Sequence, residues 1–110
     1  MENSKPCLED VKKLPKLHRL IMDYFIKYIS AGELVAIIEI REQVKTIHDP
    51  DLVPEFDDII IEREISRALM YLVEHNYLEH REGCYNLAEH LREELKEKGL
   101  YNVNKHKKLF

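Results

Sequence analysis

Residues 59–87 leave few folds open. Apolar side chains fall at Ile61, Ile65, Ala68, Leu69, Leu72 and Val73, the three-and-four spacing that lines one face of a helix and requires that face to be buried. Asn76 follows the last turn, and asparagine is the usual substitute for glycine where a helix ends in a left-handed residue. Two short alternating segments, 77–80 and 84–87, then flank a glycine-containing turn, the pattern of a hairpin. Leu78, Tyr85 and Leu87 fall where they can be held down, while His80 and Arg81 project with the tip.

The run Ile65-Ser66-Arg67-Ala68-Leu69-Met70-Tyr71-Leu72, the exit Asn76-Tyr77-Leu78-Glu79 and the return Gly83-Cys84-Tyr85-Asn86-Leu87 resemble the recognition helix and wing of winged helix-turn-helix proteins. The likeness is residue-specific over 65–87 and architectural over 17–95. It implies an α+β, mostly helical fold: a winged helix-turn-helix with a small antiparallel β-hairpin wing and a C-terminal helix. Asn76 stands where glycine is commoner in such proteins. A second departure is residues 48–58, where Pro50, Pro54 and five acidic residues make a loop much longer than the three or four residues usual between the helices of a helix-turn-helix.

At 110 residues, 45% of them hydrophobic, the chain suits one domain with one core. The reading divides it into a flexible basic arm (1–16), a winged-helix domain (17–98) and a basic tail (99–110). The arm carries Lys12, Lys13 and Lys16, with one short turn around 8–14 as the alternative; the tail carries Lys105, His106, Lys107 and Lys108. Residues 17–30 form a first helix with one stripe at Leu17, Leu20, Ile21, Tyr24, Phe25, Tyr28 and Ile29, widened by Met22 and Ile26 beyond what a single core requires. Either the C-terminal helix or a second copy of the chain covers the extra face. The resemblance implies a homodimer, through helices 17–29 or 88–98. Ala31-Gly32 ends the first helix and 33–35 reads as a first strand. Residues 36–46 read as a helix because Ile37, Ile40, Val44 and Ile47 recur at helical spacing despite their β-branched character. Asp57 or Asp58 caps the next helix and Asn86 the last one, which stops at Gly99.

The net charge is −4, with seven acidic residues against one basic in 49–64. Nonspecific DNA affinity grows with the phosphates neutralised, so a chain this acidic should bind duplex weakly unless it dimerises and reads bases. The principal reading is a small homodimeric, sequence-specific transcriptional regulator. It places Arg63, Ser66, Arg67, Met70 and Tyr71 of the third helix in the major groove of double-stranded DNA, with His80 and Arg81 of the wing tip beside it. Arg63 is flanked by Glu62 and Glu64, which equally suits surface ion pairs. The alternative is a winged-helix interaction module of a transcription or replication assembly, docking a protein partner through the acidic 49–64 segment.

An enzyme is not expected. No Ser or Cys has a His partner at motif spacing, and three glycines in all leave no phosphate loop. His75, His80, Cys84 and His90 match no standard zinc spacing, so neither metal nor cofactor is expected. Cys7 and Cys84 read as free thiols, with a single bridge between arm and wing left open. No apolar run approaches 18 residues and no leader pattern opens the chain; the expectation is a soluble cytoplasmic protein, nucleoid-associated if it binds DNA. The abundance of Ile, Glu and Lys points to a thermophilic source.

Overall fold

The computed structural model describes residues 5–101. The tail residues Lys105, His106, Lys107 and Lys108 lie outside them. Along the chain run α1 (Leu8–Val11), α2 (Lys16–Tyr28), β1 (Ser30–Gly32), α3 (Glu33–Ile47), α4 (Asp58–Glu74), β2 (Leu78–Arg81), β3 (Cys84–Leu87) and α5 (Glu89–Glu97). The strands form one antiparallel sheet in the order β1-β3-β2. From α2 to β3 the arrangement is winged-helix-like.

Both ends of α4 follow from local chemistry. The Asp57 carboxylate accepts the Ile60 N–H at 3.3 Å, an N-cap worth about 1 kcal/mol. At the other end Asn76 adopts a left-handed φ of 69°, and the Tyr77 N–H reaches the Leu72 carbonyl at 2.8 Å, which satisfies a carbonyl that the helix end would otherwise orphan. Between these ends Ile61, Ile65, Ala68, Leu69 and Leu72 are buried, the stripe expected from their spacing. The hairpin that follows pairs Leu78 with Leu87 and His80 with Tyr85. Its two turn residues, Glu82 and Gly83, both have positive φ, the conformation whose twist suits a two-residue hairpin loop.

The first strand falls three residues earlier than expected. Helix α2 stops at Tyr28 because Ile29 turns to φ 72°, a conformation that costs a β-branched residue of order 1–3 kcal/mol. Burial of that side chain offsets the strain by a similar amount, about 1.5–3 kcal/mol, and the Ile29 carbonyl accepts the Leu87 N–H at 2.7 Å. Ser30, Ala31 and Gly32 can then pair with β3. Residues 33–35, expected as a strand, open α3 instead, with Gly32 as N-cap. Starting the helix there turns its inner face to Ala36, Ile40 and Val44; Ile37 is half-buried and Ile47 is exposed.

Three further expectations change. Residues 8–14 belong to the fold rather than to a flexible arm: Val11 and Leu14 are buried, and the Leu8 N–H donates to Glu94 of α5 at 2.9 Å. Asn86 lies within β3, and α5 starts at Glu89 with Ala88 at the cap position, the Glu89 N–H being accepted by the Glu79 carboxylate at 3.0 Å. The surplus apolar face of α2 is covered by the rest of the same chain, Met22 being fully buried. Leu91 and Leu95 of α5 are also buried within the chain.

Candidate interaction surface

Helices α3 and α4 run past each other in opposite senses. Lys45 pairs with Asp58 at 2.9 Å and, one turn along, Arg41 pairs with Glu62 at 2.6 Å. The Lys45 ammonium holds the Asp58 carboxyl below the usual carboxylate range, and that carboxylate in turn lifts Lys45. Leu34, Ile38, Arg41 and Lys45 share one stripe of α3 by helical spacing, so the ion pairs at one end fix what lies at the other: Leu34 and Ile38, 68% and 46% exposed. On α4 the matching stripe is Ile59, Glu62, Ser66, Met70 and Val73, with Ile59 75% and Met70 60% exposed. A cavity of about 150 Å³ bounded by Met70, Val73, Glu74, His80 and Tyr85 closes this end.

The candidate site residues divide between faces. Ser66 and Met70 lie on this exposed strip of α4. Arg63 and Arg67 both reach the one carboxylate of Glu64, at 3.4 and 3.3 Å. Tyr71 turns away toward α2, its ring edge-on to His18 and stacked on His75 at 3.9 Å. The wing splits as alternate strand residues must: His80 stacks on Tyr85 and pairs with Glu33 at the start of α3, whereas Arg81 pairs with Glu79 at 3.0 Å and borders a separate polar groove with Glu89 and Arg92. Leu34 and Ile38 were not among the residues singled out from sequence. Reading 33–35 as a strand hid their four-residue spacing.

The acidic segment is partly neutralised from outside itself. Lys16 bridges Asp49 and Asp51 at 3.0 and 3.1 Å, while Arg41 and Lys45 engage Glu62 and Asp58. The long loop is also anchored: Val53 is buried, and Phe56 stacks on His48 at 3.9 Å. Even so, the first turn of α4 starts among Glu55, Asp57 and Asp58. In a helix-turn-helix complex that turn enters the groove between two phosphate chains.

Both cysteines are free thiols. Among the described residues no cluster of His, Cys, Asp or Glu is arranged to hold a metal ion, and no helix is long and apolar enough to cross a membrane. Compared with known families, residues 15–93 match the model of PolB1 Binding Protein 2. That span begins at the residue capping α2 and ends within α5. No curated protein and no solved structure matches the chain.

Proposed function

The chain belongs to the PolB1 Binding Protein 2 family, and from that premise we propose that it is a non-catalytic protein-interaction subunit that docks on the DNA polymerase PolB1. This is the interaction-module reading of the sequence, and the acidic 49–64 segment is its docking element. The observation that carries it is the charge around the start of α4. Duplex binding is driven by neutralising phosphates, yet the helix that would enter the major groove begins in a cluster of carboxylates. Its two arginines already share Glu64. The same field suits a basic patch on a protein partner, where charge complementarity speeds encounter and excludes wrong partners.

The test is a titration of PolB1 with the wild-type chain and with the double variant Asp57→Asn, Asp58→Asn, at low and moderate salt. Asparagine caps helices as well as aspartate, so the fold is expected to persist. The variant should bind several-fold more weakly, with the deficit shrinking as salt rises. Parallel fluorescence anisotropy on duplex DNA should show no sequence preference. Unchanged polymerase affinity in the variant, or a duplex sequence that the chain selects over others, would count against the proposal.

A further inference from the structure

Resting on the docking reading above, we propose that the cavity between the last turns of α4 and the hairpin is a socket for one phenylalanine- or leucine-sized side chain of the polymerase, presented beside a lysine or arginine. Its walls come from three elements: Met70, Val73 and Glu74 of α4, His80 of β2 and Tyr85 of β3. The fold itself sets them in place. His80 stacks on Tyr85 with ring centroids 4.5 Å apart and pairs with Glu33 at the start of α3, while Val73 and Tyr85 are half-buried against the core. A preformed socket loses little ordering entropy when it is filled.

Size and lining select the occupant. An apolar space of about 150 Å³ accommodates a group the size of benzene, which suits one phenyl or isobutyl group. Met70, 60% exposed at the mouth, adds a thioether that adapts to irregular apolar surfaces and favours contact with a ring. Charge then selects what stands beside that group. Glu74 is the one carboxylate in the lining, no lysine or arginine joins it there, and among the described residues its side chain has no hydrogen-bond or ion-pair partner. It is also the last residue of α4, whose last turn holds no basic residue, so its charge opposes the helix dipole with nothing in the chain to offset it. A lysine or arginine of the partner is drawn to this point by carboxylate and dipole together, whereas a phosphate is repelled by both. The socket and the acidic start of α4 also fit one interface. Asp58 and Met70 are twelve residues apart on α4, about 18 Å at 1.5 Å per residue, within the breadth of a patch of about 800 Å².

The deciding experiment titrates PolB1 with the full chain and four variants in a calorimeter, once circular dichroism and thermal unfolding have shown each variant to be folded. Met70→Glu, which sets a charge at the mouth, and Val73→Phe, whose ring fills the socket from its own wall, should each weaken the complex about thirtyfold, the loss of one interface anchor. Glu74→Gln should raise the thermal midpoint slightly and yet bind several-fold more weakly at low salt, the deficit shrinking as salt rises. Leu100→Glu, at a position 63% exposed beyond α5, should bind as wild type does. If PolB1 binds wild type, Met70→Glu and Val73→Phe equally well, no side chain of the polymerase enters the socket and this inference fails, although the docking function stands. Wild-type affinity in Glu74→Gln at low salt would remove the basic neighbour and overturn it too, as would a loss in Leu100→Glu as large as in Met70→Glu. If wild type does not bind PolB1 at all, both fail. A wild-type dimer in light scattering that Met70→Glu dissolves would give the socket to a second copy, and the inference would again be overturned.

Discussion

Glu64 decides how the third helix is read. Sequence alone set Arg63 and Arg67 in the major groove, and it also named ion pairing as the competing use of Arg63. In the folded chain both guanidinium groups reach one carboxylate, the ion pairing that competes with guanine for them. Arg67→Ala is therefore expected to leave duplex affinity at its nonspecific level, and to change stability by no more than about 0.5 kcal/mol. A loss of about tenfold confined to one DNA sequence in anisotropy measurements would return the helix to the groove. Two packed side chains give stability tests. The Tyr24 hydroxyl, on a ring that is 3% exposed, donates to Glu39 at 2.6 Å; Tyr24→Phe should cost about 1.5–3 kcal/mol in urea unfolding, the range for a hydrogen bond to a charged group. His18 is half-buried against Tyr71, and desolvation depresses its pKa. A depressed histidine pKa means that the unfolded chain takes up the proton first, so its contribution is intact above the unfolded pKa of about 6.5 and is lost as pH falls below it. The thermal midpoint should drop more between pH 7.5 and 5.5 in wild type than in His18→Gln.

At the scale of elements, legibility tracked how local the determining physics was. Helix α4 and the hairpin were readable because their caps, turn residues and apolar periods all lie within the segments themselves. The boundary between α2 and α3 was not, because a strained Ile29 is tolerated only once its side chain is buried and its carbonyl meets Leu87 from a distant strand. That one long-range bond shifted β1 by three residues, rotated the inner face of α3 to Ala36, and left Leu34 and Ile38 outside. The fold of 8–14 likewise depends on Glu94, far away in sequence. Caps offer the cleanest check at this scale. Asp57→Ala should destabilise by about 1 kcal/mol and Asp57→Asn by far less. Asn76→Gly should be close to neutral, since glycine accepts its φ of 69° without strain. Equal effects of Ala and Asn at position 57 in denaturant midpoints would contradict the cap.

For the whole molecule, charge and apolar surface say more about the partner than the fold does, since winged-helix architecture serves both nucleic-acid and protein recognition. The general docking idea was present in the sequence as an acidic run; the ion pairs that join α3 to α4 were not, because they form only when two helices separated by a long loop are brought side by side. Folding also uses part of that acidity internally, through Lys16, Arg41 and Lys45. The most direct measurement of this account is a calorimetric titration of the wild-type chain into PolB1 across a range of temperatures. A saturable complex with a negative heat-capacity change, the mark of apolar burial, is the expected result. No heat and no complex with the polymerase, alongside sequence-selective binding to duplex DNA, would contradict it.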